Sequence, residues 1–140
     1  MTDTAAFYIS VLRKDFSKYC SEILGENGVT YGQMYILIYL GRHGKTSPSS
    51  LCEKLKLDAG HLNRTAEKLI NGGFIIREKN PDDKRASILF LTEKGEEIFS
   101  LCRNLFSMWD EKALSSLNEV EKQQFISLLK KITVNEKGEN

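Results

Sequence analysis

No stretch of this 140-residue chain is long and apolar enough to span a bilayer. A spanning helix needs ~18–20 such residues, and the longest run, residues 34–40, makes about two helical turns. Residues 1–7 lack both a basic segment and an apolar one, so no secretory signal is expected. Cysteine is scarce and odd in number: Cys20, Cys52 and Cys102 show no paired spacing. That argues against a disulfide framework and against a zinc site, and a reducing cytoplasm is the expected location. No internal repeat or low-complexity segment is visible, and the composition is neither disordered nor collagen-like. With 41% hydrophobic and 28% charged residues, one folded, soluble domain is expected over residues 1–140.

The signatures of catalysis are missing as well. There is no Gly-x-Ser-x-Gly, and no paired carboxylates stand where a cleft is expected. Gly44-Lys45-Thr46 resembles the end of a phosphate-binding loop, but that motif requires a glycine at position 39, which is Tyr39. A helix, not a strand, precedes it. His43 and His61 lack cysteine or carboxylate partners at ligand spacing, so no metal and no cofactor is expected. The chain does not read as an enzyme.

A strong net charge is also lacking, the formal total being +1. The charge is unevenly spread, however. Residues 1–41 sum to −1, residues 42–92 to +4 and residues 93–140 to −2. A basic middle between acidic ends suits contact with a polyanion.

Apolar spacing predicts a helix over residues 5–24, carrying Leu12, Phe16, Tyr19, Cys20 and Ile23. Thr30 and Gln33 make a capping box for a helix over 31–41. Ser47 and Pro48 open a short third helix with Leu51 and Leu55. Asp58 caps a fourth, 59–71, whose Leu62, Ala66 and Leu69 share a face. Residues 74–79 and 86–91 read as a hairpin with its tip at 80–85. Thr92 begins a long helix with Glu93, Glu96 and Glu97 in its first turn, where acidic groups suit the helix dipole. Asn118, boxed with Glu121, starts the last. The stripes of residues 5–24 and 98–132 are too apolar for a small domain to cover alone, so two chains are expected to share them.

Helix, turn, helix, hairpin is the order of a winged helix-turn-helix, so the expected fold is mainly α with a small β-hairpin wing. A helix over 59–71 fits the major groove. Its face away from Leu62, Ala66 and Leu69 presents Gly60, His61, Asn63, Arg64 and Lys68. Arg bonds guanine O6 and N7, and Asn bonds adenine N6 and N7. Gly60 lets backbone approach closely. Lys84 and Arg85 at the hairpin tip suit the negative potential of a narrow minor groove.

From residue 30 to 95 the chain resembles the multiple-antibiotic-resistance regulator (MarR) family of transcription factors. The resemblance rests on Thr30-Tyr31-Gly32-Gln33, Ser49-Ser50-Leu51-Cys52-Glu53-Lys54-Leu55 and His61-Leu62-Asn63-Arg64. It continues through Leu69-Ile70-Asn71-Gly72-Gly73-Phe74-Ile75-Ile76-Arg77, Asp83-Lys84-Arg85 and Leu91-Thr92-Glu93-Lys94-Gly95. The resemblance implies a DNA-binding lobe over 30–92 and dimerisation helices over 5–24 and 93–134. It implies DNA contacts from Ser49, His61, Asn63 and Arg64, Arg85 in the minor groove, and Asp83 bracing the wing. The implied function is that of a sequence-specific regulator, a ligand-responsive repressor binding a pseudo-palindromic operator in double-stranded DNA as a homodimer. An effector pocket lined by Phe16, Met34, Leu37 and His43 is also implied. Position 61 is commonly a small hydroxyl residue in the family and is His here, so the operator is expected to differ. Some relatives sense oxidants through a cysteine in the first helix, which makes Cys20 a candidate redox thiol and a cysteine-based sensor the alternative function. Its place on the apolar stripe favours a core residue instead. A winged helix used as a protein-interaction module is the remaining alternative, and it calls for an exposed apolar patch on 59–71, where none is seen.

Overall fold

The computed structural model describes residues 3–137, without the side chains of Lys84 and of residues 134–137. The order of elements is α1 (Ala5–Gly25), α2 (Tyr31–His43), α3 (Pro48–Leu55), α4 (Ala59–Asn71), β1 (Ile75–Asn80), β2 (Asp83–Leu91), α5 (Glu93–Ala113) and α6 (Glu119–Lys137). The chain divides into two units, one reaching Leu105 and the other beginning at Phe106.

The first unit holds the core. Its centre is α2, whose Met34, Ile36, Leu37 and Leu40 are all buried. Against them pack Cys20 and Leu24 of α1, Leu51 of α3, Leu62, Ala66 and Leu69 of α4, and Ile98, Cys102 and Leu105 of α5. The hairpin adds Ile75 and Leu89. α2 starts where the sequence predicts: Thr30 Oγ1 accepts from the Gln33 amide, and Gln33 Oε1 accepts from the Thr30 amide at 2.9 Å. These two bonds satisfy amides that a helix start otherwise leaves free.

The hairpin grips the helices at its base. Thr92 Oγ1 donates to the Gly73 carbonyl at 2.6 Å and accepts from the Gly95 amide at 3.1 Å, capping α5. Lys94 Nζ donates to the Gly72 carbonyl at 2.8 Å and lies over the Phe74 ring. Gly95 is buried so tightly that a Cβ would run into the Phe74 carbonyl oxygen. The Leu91-Thr92-Glu93-Lys94-Gly95 motif is thus a joint between α4, the hairpin and α5.

One expectation is corrected here. The hairpin turn is tighter than predicted: Asn80 pairs with Asp83 across Pro81 and Asp82, and β2 begins at Asp83. The next pair is Lys79 with Ser87, so residues 84–86 bulge out of the ladder. The sheet also has an edge that the sequence did not show. Thr46 bridges Leu89 through bonds of 3.0 and 2.8 Å, tying the α2–α3 loop to the wing.

In the second unit, Leu114 is buried and closes the turn after α5. Asn118 and Glu121 form the predicted capping box at α6, with bonds of 3.0 and 2.9 Å.

Candidate nucleic-acid interface

The recognition element is assembled by caps. Ser47 Oγ accepts from the Ser50 amide and Pro48 fills the first turn of α3, where its missing N–H leaves no bond broken. The exposed Ser49 hydroxyl lies 3.2 Å from Ser47 Oγ. Lys56 ends α3 in the left-handed conformation, φ 56°, and lets the chain turn within three residues. Asp58 then caps α4, its Oδ1 accepting from the His61 amide at 2.7 Å.

α4 is sharply two-sided. Leu62, Ala66 and Leu69 are buried, and His61, Asn63, Arg64 and Lys68 are exposed. The Arg64 guanidinium folds back over Gly60, where a Cβ would lie 3.1 Å from Nη1. Every expected groove-facing residue of α4 therefore reaches solvent from one rigid helix, which fixes the spacing of donors as base recognition requires.

The wing projects a cation. The Arg85 side chain is 96% exposed, while its backbone N–H donates to Asp83 Oδ1 at 3.0 Å. That carboxylate oxygen also stands 3.9 Å from Arg85 Nε. Asn80 Oδ1 accepts from the Asp82 amide, holding the turn. The expected contribution of Lys84 lies outside the described residues, since its side chain is not described.

One contact was missed by sequence reading. Arg77 Nη1 on β1 donates to Glu67 Oε1 on α4 at 2.8 Å. Glu67 lies three and four residues beyond Arg64 and Asn63, which puts it on the same outward side of the helix. That spacing was a usable signal, but the partner was hidden beyond the Gly72-Gly73 turn.

The expected effector pocket is not assembled as one site. Phe16 is half-buried, with its ring edge-on to Tyr31 at 6.2 Å, at the start of α2. His43 is at the other end, exposed and stacked on Tyr39 at 4.2 Å. Twelve residues of helix separate those ends by about 18 Å. Met34 and Leu37 are wholly buried in the core. The candidate redox thiol sits in the core, where its apolar stripe points. Cys20 is fully buried, and desolvation pushes its thiol up to about 11, away from the reactive thiolate. Cys102 is buried likewise, its thiol also near 11. Among the described residues no cluster of metal-ligating side chains occurs, and no helix is long and apolar enough to cross a membrane.

Comparison with known proteins agrees with this geometry. The family model described as "MarR family" matches residues 27–86. The chain is 41% identical over 132 residues to the HTH-type transcriptional regulator BilQ of Clostridium symbiosum, covering 94% of this chain and 92% of that one. A MarR transcriptional regulator from Methanosarcina mazei superposes with a TM-score of 0.83 at 28% identity, over 91% of this chain and 92% of that one. A cysteine-to-serine mutant of MarR from E. coli, solved with operator DNA, superposes with a TM-score of 0.77 at 26% identity, over 89% and 90% of the two chains. The recognition helix, the wing and these likenesses together assign the chain to the MarR family of winged helix-turn-helix, DNA-binding transcriptional regulators.

Proposed function

We propose that the chain acts as a homodimeric repressor in the cytoplasm, binding a pseudo-palindromic operator and releasing it when a small molecule binds. The observation that carries the DNA reading is the pairing of a polar, fully presented α4 face with a projecting Arg85 in one lobe. His61, Asn63 and Arg64 read base edges in the major groove, Lys68 and Ser49 hold the backbone, and Lys84 and Arg85 reach the minor groove. That the E. coli relative was solved with operator DNA supports the DNA reading.

Two-fold symmetry follows from the apolar surface that a single chain leaves uncovered. Phe7, Tyr8, Ile9 and Val11 of α1 are exposed, as are Val120, Ile126, Leu128, Leu129 and Ile132 of α6. A second copy covers them and sets the two α4 helices about one DNA turn, ~10 bp, apart. An effector that binds one lobe spacing better than the other shifts the protein away from DNA. Met34 and Leu37 are closed off in the core, so an effector reaching them has to open it, whereas Phe16 and His43 are accessible without such opening.

The decisive experiment is a binding selection from random duplex DNA with the full chain, followed by sequencing. Enrichment of an inverted repeat with half-sites centred about 10 bp apart is the expected result. Recovery of unrelated sequences with only a salt-dependent affinity would reject sequence-specific recognition.

A further inference from the structure

The Glu67–Arg77 pair stands between the two parts of the DNA-facing surface. An acid on the outward side of a recognition helix is unfavourable beside a polyanion, because it repels phosphate. Here its charge is met by Arg77, which rises from β1 and reaches α4 at 2.8 Å. Arg77 is paired across the hairpin with Leu89, a buried residue, so it stands on the side of the ribbon that faces the helices.

We propose that Glu67 and Arg77 form a strut that fixes the wing relative to the recognition helix, making Glu67 a positioning residue for the Arg85 contact with DNA. The proposal rests on the reading of Arg85 as a groove contact. Its physical basis is a hold on both strands of the ribbon. The hairpin is a two-stranded ribbon, and such ribbons twist and bend readily. The core and the Thr46 bridge hold β2 at Leu89, whereas the core holds β1 at Ile75, five residues from the turn at Asn80. Arg77 lies opposite Leu89, so the pair anchors β1 at the level where β2 is already held, and with both strands fixed about 10 Å from the turn the ribbon cannot twist about β2 alone. The bulge at residues 84–86 lies beyond the strut and bends the strand that carries Arg85. The fold itself does not depend on the pair. The Arg77 side chain is 34% exposed and that of Glu67 54%, and ion pairs of that kind contribute little to stability.

The test uses the full chain and five proteins: the parent, Glu67→Gln, Arg85→Ala, the double variant and a charge exchange. Each is titrated with a selected operator and with random duplex at fixed salt, and thermal midpoints are recorded. Glu67→Gln is expected to weaken operator binding about three- to fivefold although it removes a negative charge, with a nearly unchanged midpoint. Arg85→Ala is expected to cost less in the Glu67→Gln background than in the parent, because a displaced wing has less contact to lose. The charge exchange Glu67→Arg with Arg77→Glu, neutral overall, is expected to restore part of the affinity, and no recovery counts against the strut. Tighter binding of Glu67→Gln to operator and random DNA alike, with the Arg85 effect unchanged, would mean that Glu67 merely repels phosphate. A loss confined to one G·C pair would make Glu67 a reader of the cytosine amino group instead. An Arg85→Ala variant as tight as the parent would overturn the wing reading and the strut with it, whereas a full Arg85 effect in the Glu67→Gln background overturns the strut alone.

Discussion

At the scale of single residues, charge sign and burial make opposed predictions that experiment can separate. Asp83 is acidic and close to where DNA is proposed to lie, so Coulomb attraction alone has its removal tighten binding. The structure gives it another task, since its carboxylate accepts from the Arg85 amide at 3.0 Å and shapes the bulge that carries Arg85. Asp83→Ala is therefore expected to weaken operator binding. Arg85→Ala is expected to weaken it and also to reduce preference for A·T flanks, because groove width sets the potential that a cation feels there. Titrations of operators with A·T or G·C flanks at fixed salt measure both. The cysteines offer a second residue-scale outcome. Cys20 and Cys102 are buried with thiols raised to about 11, and only Cys52 is partly accessible. A thiol reagent at pH 8 is expected to label Cys52 first and the other two only as the core opens. Between about pH 8.5 and 11 the unfolded chain loses thiol protons that the folded chain retains. The unfolded state then binds fewer protons, so stability from these groups is full below that window and declines as pH rises through it. Denaturant midpoints measured at pH 8 and pH 10, for the parent and a Cys20→Ala variant, report the sign.

At the scale of elements, the joint between the wing and α5 shows why propensity is a poor guide at a close contact. Glycine within a helix costs about 1 kcal/mol relative to alanine, so propensity has Gly95→Ala stabilise the protein. A Cβ at that place meets the Phe74 carbonyl oxygen and the Leu91 side chain, and the backbone oxygen belongs to the base of the wing. Gly95→Ala is expected to destabilise by about 1–3 kcal/mol, read from the denaturant midpoint at constant slope. The same scale shows what sequence made legible. Helix starts were readable because a cap is local chemistry: Thr30 with Gln33, Asp58 with His61 and Asn118 with Glu121 all lie within one turn. The exposed face of α4 was readable because Leu62, Ala66 and Leu69 define the opposite one. The Thr46 bridge to Leu89 was not, since a one-residue strand has no alternation to read and its partner is 43 positions away. The Glu67–Arg77 pair was hidden for the same reason, as its geometry is made by the turn between helix and strand. The hairpin tip was misjudged because Asn80-Pro81-Asp82-Asp83 signals a turn without stating where pairing resumes.

At the scale of the whole molecule, a single chain leaves apolar surface on α6 uncovered, which the proposed dimer covers. Exposed apolar side chains scattered singly are ordinary, but α6 carries Val120, Ile126, Leu128, Leu129 and Ile132 on one helix. Leu128 and Ile132 are four residues apart and both 59% exposed, so they form one ridge on the helix surface. Because they contribute nothing to the core of a single chain, replacing both with Glu leaves the lobe folded. In a two-fold interface each position occurs twice, so the change removes four buried side chains at about 1.5 kcal/mol or more each. The dimer dissociation constant is then expected to rise by about four powers of ten, leaving monomer at micromolar concentration. Sedimentation should show a dimer for the parent and a monomer of unchanged helicity for the variant. Operator affinity should fall much further than affinity for random duplex, because only a dimer places two recognition helices in register with two half-sites. A parent chain that sediments as a monomer at micromolar concentration, or a variant that keeps full operator affinity, would place the assembly elsewhere than on α6.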